Sequence, residues 1–304
     1  MSRNNTTQIA EKVRGAKGVR PAAGTWKNWI GVVPFLLFTF LFIVLPSFSL
    51  FVGAFQDSQG NFTFKNLLDL FSAEIIGAYW ISIRISLATA VGGGILGFLM
   101  AYGITVGGLP RWVRSALTTF SGVAANFAGV PLAFAFIATL GRTGLVTVIL
   151  NTVFGVSLYD KGFSLYSFIG LSLTYMYFQF PLMVLTITPA LDGLKKEWRE
   201  ASENLGATSF QYWRMVAMPI LLPSLMATII LLFGNAFGAY ATALSLTGGF
   251  LNLVTIVIGS QIKGDVLHNV GLGYALALGM VIIMVITMAM YYYLRRRSER
   301  WLRI

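Results

Sequence analysis

The sequence predicts an all-α polytopic membrane protein with about six transmembrane helices. Three observations carry that prediction. Of 304 residues, 56% are hydrophobic and only 11% are charged, about half the charged share usual in soluble domains. The apolar residues fall in long runs, and a bilayer core takes about 20 residues per spanning helix. The runs do not alternate with a period of two. Backbone groups in lipid must therefore be paired within helices and not around a closed barrel.

The first run, Trp29 to Val52, follows a polar tail over residues 1–28 in which weak order is expected. It is too long and too aromatic for a cleaved signal segment and reads as a retained span. The second runs from Tyr79 to Thr105, the third from Ser115 to Leu140 and the fourth from Leu165 to Leu191. The fifth covers Ile220 to Leu246 and the sixth Gly271 to Leu294, with a basic tail over 295–304. Lys and Arg gather in the N-terminal tail, after span two (Arg111, Arg114), after span four (Lys195, Lys196, Arg199, Arg214) and in the C-terminal tail. These segments share one side, which the positive-inside rule makes the cytoplasm, with both termini there. The net charge of +11 thus reflects topology and attraction to lipid headgroups, and argues poorly for nucleic-acid binding. The chain has no cysteine, which removes disulfides and thiolate metal sites and suits a bacterial inner membrane.

Between spans four and five lies a charged segment, residues 192–219. Leu194, Trp198, Ala201 and Leu205 recur at spacings of four, three and four, one face of a helix. Lys196 with Glu200 and Arg199 with Glu203 are i,i+4 pairs. Gly206 follows the last apolar position, where a left-handed cap is expected. Thr208 or Ser209 can cap a second short helix carrying Phe210, Trp213 and Met215, which Pro219 is expected to stop. On pattern alone, this hairpin either rests on lipid headgroups or is a docking knob for a soluble partner.

The segment "EASENLG", followed after nine residues by "VAMP", resembles the EAA motif of bacterial ABC importer permeases. Glu200, Ala201, Gly206 and Pro219 match that motif, while Ser202, Val216 and Met218 replace an Ala, an Ile and a Leu. The resemblance extends from about span two to the C-terminus. It implies a type I importer permease fold, with two permease subunits, identical or paralogous, forming the pathway. It implies that the hairpin (Trp198, Glu200, Ala201, Ser202, Gly206, Trp213, Pro219) is the coupling loop for an ATP-binding cassette ATPase, and that an extracytoplasmic solute-binding protein delivers cargo. ATP and Mg would be bound by the ATPase and no cofactor by this chain. The sequence agrees in one respect: no phosphate-binding G-x-x-x-x-G-K-[ST] loop is present.

Asn126, Gln179 and Asn235 are amides within apolar spans and must face protein or water. Each is either interhelical glue or a lining residue of the translocation pathway. Asn235 leads as a pathway candidate because span five lines the route in the resembled family, with Tyr240 after it. Gly93 with Gly97, and Gly234 with Gly238, permit close helix approach. Arg84 is expected to snorkel to the outer interface, and Asp160, Asp265 and His268 to be solvated loop residues. No nucleophile, base and carboxylate assemble into an enzyme site.

Within the family, "NAFGAYATALSLTGG" and "YFQFPLMVL" look most like spermidine/putrescine permeases, a subgroup sharing features with importers of ferric iron, thiamine, opines and phosphonates. The spans hold no Asp or Glu, so nothing in them would hold a polycation. A membrane scaffold whose hairpin binds a partner without transport is one alternative class, and the other is an ATP-independent secondary transporter or channel. It would usually need intramembrane acids or histidine, and these are missing.

Overall fold

A computed structural model describes residues 31–57, 59–263 and 269–302, with side chains to 296. Residues 1–30, Asp265, His268 and the ends of the two basic tails lie outside the described residues, and so do the expectations attached to them. The described structure is helical, with one isolated bridge between Gln56 and Phe62. Six segments are long and apolar enough to cross a membrane.

The chain divides after Val52 into two compact units. The first holds α1 (Val33–Thr39), a π-turn (Phe40–Val44) and most of α2 (Leu45–Ala54). No residue of α1 or of this π-turn is buried, as suits an apolar span that meets lipid over most of its girth.

The second unit begins with a short loop and α3 (Lys65–Asp69), then α4 (Ala73–Val106), 34 residues long. It continues through α5 (Arg111–Asn126), α6 (Val130–Leu140), α7 (Leu145–Phe154) and α8 (Phe168–Asp192). A hairpin follows, made of α9 (Lys196–Asn204) and α10 (Ser209–Tyr212). A second π-turn (Trp213–Ala217) leads into α11 (Met218–Phe237), then α12 (Tyr240–Thr247), α13 (Val254–Lys263) and α14 (Val270–Leu302). Helices α4 and α8 pack most extensively, and α11 packs on both α4 and α14. Glycines allow the α4–α8 approach: a Cβ on Gly93 would stand 2.5 Å from Gln179 Cβ, and one on Gly97 2.5 Å from Met183 Cβ. Three buried clusters follow, around Tyr175 and Phe178, around Met183 and Ile187, and around Phe237 and Leu276.

Two predicted spans are not single helices. The third was expected over Ser115 to Leu140, with a local bend or stop at Pro131, and the helix ends at Asn126 and restarts at Val130. Pro131 explains the place. Its ring would clash with the carbonyl four residues back, that of Phe127, and it has no N–H to offer there. Gly129 makes the turn at φ 77° and ψ −149°, a conformation open essentially to glycine alone. The stretch that meets the crossing criterion is Val130–Phe154. The fifth span was expected over Ile220 to Leu246, but it breaks at Gly238 and Ala239, with Ala239 at ψ 83°. Pro219 also corrects an expectation, since it does not stop the hairpin's second helix. Helical structure runs on from Ser209 to Phe237. The π-turn absorbs the proline: Met218 N–H reaches back five residues to Trp213 O, so the turn is widened where the ring would meet Met215 O. The π-turn in the first unit stands in the same relation to Pro46, with Leu45 N–H donating to Phe40 O.

Candidate functional site: a charged hairpin and a cleft between broken helices

The hairpin is closed by local hydrogen bonds. Gly206 takes φ +81°. Its N–H donates to Glu203 O at 2.9 Å, and Ala207 N–H donates to Ser202 O at 3.0 Å, the paired bonds of a Schellman cap. Thr208 then caps α10 in a reciprocal box: Gln211 N–H donates to Thr208 Oγ1, and Thr208 N–H to Gln211 Oε1 at 2.7 Å. Arg199 Nε pairs with Glu203 Oε1 at 2.9 Å, an interaction that raises the arginine pKa further. Lys196 and Glu200 form no ion pair among the described residues.

The hairpin's apolar residues face two ways. Tyr212 is buried, Trp213 packs edge-on against Tyr102 of α4 with ring centroids 5.0 Å apart, and Trp198 is half-buried under Lys195. Leu205, Phe210 and Met215 are 88%, 71% and 73% exposed. The predicted stripe of Leu194, Trp198, Ala201 and Leu205 therefore does not pack inward as a whole. Ala201 and Leu205 are exposed, and the buried position in α9 is Ser202, whose Oγ donates to Arg199 O at 2.7 Å. Among the described residues little covers those side chains. Glu200 is exposed beside them, and Pro219 is exposed on the first turn of α11.

At the root of the hairpin Arg114 of α5 grips Asp192, the last residue of α8. One guanidinium nitrogen lies 2.8 Å from Oδ1 and 2.7 Å from Oδ2. Sequence pattern did not single out this pair, since 78 residues separate its members. At the opposite end Arg84, exposed, lies 5.4 Å from the centre of the Phe168 ring, where α8 begins.

The two helix breaks line one cleft of about 770 Å³. Ala128 and Gly129 from the α5–α6 break, and Gly238 and Ala239 from the α11–α12 break, form part of its wall. The breaks are tied to their surroundings by long-range bonds: Gly129 N–H donates to Thr242 Oγ1 at 2.7 Å, and Tyr175 O–H donates to Ala239 O at 2.5 Å. Each uses a backbone group that an unbroken helix would have paired internally. Asn235 and Tyr240 line the cleft. Tyr240 also borders a second, apolar cleft of about 810 Å³ along Met280, Met284 and Met288. Asn126 is exposed at the end of α5, bonded to Gly122 O at 2.9 Å, with its neighbours Ala125 and Ala128 on the cleft wall. Gln179 is 0% exposed and donates to Leu232 O at 2.8 Å, bridging α8 to α11 inside the chain's own packing. Among the described residues no acidic or basic side chain lines the cleft, and no group of acids or histidines could hold a metal.

Helices interrupted around a cleft, beside a structured hairpin at one end, define a membrane transport subunit. Residues 93–300 match the family of binding-protein-dependent transport system inner membrane components, and the chain belongs to that family. It is thus a multi-pass inner-membrane permease of an ABC importer, non-catalytic and without a cofactor of its own, with the ATPase on a separate subunit. It is 26% identical over 216 residues to the sulfate transport system permease protein CysT of Salmonella typhimurium, covering 70% of this chain and 72% of that one. It is 25% identical over 280 residues to the spermidine/putrescine permease PotB of Haemophilus influenzae, covering 84% and 91%. A bacterial ABC transporter that imports alginate has the same fold, with a TM-score of 0.69 at 16% identity, covering 96% of this chain and 99% of that one. The relatives thus extend beyond the polyamine subgroup that the sequence most suggested.

Proposed function

We propose that the hairpin seats the ATPase subunit and that the cleft between the broken helices is this chain's share of the solute pathway. The outward display of Leu205, Phe210 and Met215 on a turn locked by two caps carries the first half. Rigid apolar anchors inside a charged rim suit a protein partner, and the small, exposed Ala201 beside Glu200 leaves room for close approach. Closure of two ATPase subunits on ATP and Mg moves the hairpins, and the unbroken helical run into α11 carries that motion past Pro219 to the cleft as rigid-body alternating access. Asn235 and Tyr240 are the side chains of this chain that meet solute, with Asn126 at the rim. A second permease, a paralogue on our reading, closes the pathway. An extracytoplasmic binding protein feeds it from the end opposite the hairpin, and the Lys/Arg distribution puts both termini in the cytoplasm of a bacterial cell.

Two readings of the cargo rest on separate observations. Likeness to PotB supports a polyamine. Likeness to CysT supports a small oxyanion and takes precedence because sulfate permeases of several organisms share it, whereas the described lining of the cleft offers neither a carboxylate to a polycation nor a cation to an oxyanion. Reconstitution of the permease with its ATPase and binding protein tests the whole. A cysteine replacing Leu205, the only one in the chain, should cross-link to the ATPase, and loaded binding protein should stimulate ATP hydrolysis. Uptake that persists without ATP, with no cross-link from any hairpin position, would reject the reading. Titrating the binding protein with sulfate and with spermidine decides between the cargoes.

A further inference from the structure

The two breaks that line the cleft belong to different helices, and only α11 continues covalently from the hairpin. The other, between α5 and α6, has no backbone path to it except through the whole of α6, α7 and α8. Arg114 and Asp192 supply a short one. Asp192 ends α8 immediately before Gly193, where the hairpin leaves the bundle, and Arg114 lies in the first turn of α5. One guanidinium nitrogen engages both oxygens of the carboxylate, at 2.8 and 2.7 Å, a charge-assisted contact that resists separation of the two helix ends. The far end of α5 is the break at Phe127 to Gly129, whose Gly129 N–H is bonded to Thr242 just beyond the other break.

We infer that Arg114 and Asp192 form a positioning clamp that makes the hairpin drive α5 together with α11, so that both walls of the cleft move in one step. The inference rests on the coupling reading above. The π-turn lets α11 follow the hairpin from one root, the clamp makes α5 follow it from the other, and the Gly129–Thr242 bond keeps the two breaks in register. The pair is partly solvated, with side-chain exposures of 42% and 45%, so it adds little to fold stability. Its contribution is to fix direction.

The test is uptake per ATP hydrolysed by the full importer in liposomes, with assembly and thermal midpoint measured alongside. Arg114→Gln and Asp192→Asn should each assemble as wild type yet lower that ratio about fivefold, the low end of site-to-site coupling. The exchange Arg114→Asp with Asp192→Arg should recover most of the loss. The wild-type ratio should also fall in about 1 M salt, where screening reaches about 3 Å, while the single variants respond little. Wild-type ratios in assembled single variants would overturn the clamp and leave the hairpin reading intact, and so would an exchange no better than either single change. Wild-type protein that fails to couple hydrolysis to uptake would remove the hairpin reading and the clamp with it. If the exchange variant does not assemble, the two single variants and the salt response decide.

Discussion

The hairpin and the cleft are held together by opposite means. In the hairpin each bond that sets the shape spans five residues or fewer: the Schellman pair at Gly206, the capping box of Thr208 and Gln211, and the Arg199–Glu203 bridge. Leu205, Phe210 and Met215 are left outward, while Tyr212 is buried. The cleft's breaks rest on bonds across 113 and 64 residues, Gly129 to Thr242 and Tyr175 to Ala239, and its walls are mostly apolar, with Asn235, Tyr240 and Thr242 among them. A locally determined element keeps its form when the rest of the bundle shifts, which is what a lever needs. A region held by a few long-range bonds between discontinuous helices can exchange them at small cost, which is what a gate needs.

Changes to the lever should therefore break coupling with little effect on the isolated permease. The largest effect is predicted for Gly206→Val. A β-branched residue at φ +81° carries a strain above the roughly 1–2 kcal/mol of an ordinary left-handed residue. The hairpin would open to relieve it, and ATPase co-purification and uptake should both be lost while the permease remains in the membrane. Next is the triple change of Leu205, Phe210 and Met215 to Ser. Little buried area is given up in the free chain, so its thermal midpoint should hold. Affinity for the ATPase should fall about tenfold or more for each anchor that acts as a hot spot. An unchanged affinity would show that these side chains rest on lipid.

The same division explains what the sequence disclosed. The left-handed cap at Gly206, the N-cap at Thr208 (one of two candidates) and the bridge from Arg199 to Glu203 depend on neighbours within reach of a motif and are present, while the similar pair Lys196 and Glu200 is not. The helical class and the number of spans followed from apolar run lengths, which the bilayer dictates. The breaks were less legible. Pro131 marks the first break by a local rule, yet nothing nearby announces that Gly238 and Ala239 leave the helix, because the freed Ala239 carbonyl is satisfied from α8, by Tyr175. The clamp was invisible for the same reason: Arg114 and Asp192 read separately as ordinary charges at helix ends. The outward turn of Ala201 and Leu205 could not be read from periodicity, which marks an apolar face without saying whether this chain or another covers it.

Changes to the cleft should act in the reverse sense and more mildly. Thr242→Val removes the acceptor of Gly129 N–H and leaves that group unpaired, a cost of about 1–3 kcal/mol. A lower thermal midpoint and slower uptake are expected with ATPase affinity unaltered. Loss of ATPase binding in this variant would erase the distinction between lever and gate. Gln179→Met should have the smallest effect of all. It removes one hydrogen bond, to Leu232 O, but also removes a buried Oε1 that has no partner. The methionine keeps the side chain's length and flexibility. The two changes should nearly cancel, leaving stability within about 1 kcal/mol of wild type. Uptake is the sharper measure, because Gln179 lies wholly inside the α8–α11 packing. Uptake at the wild-type rate in Gln179→Met, beside a several-fold loss in Asn235→Ala, would separate an amide that joins helices from one that meets solute. A loss in Gln179→Met as large as in Asn235→Ala, at equal stability, would mean that α8 and α11 part during transport and bring Gln179 into the pathway.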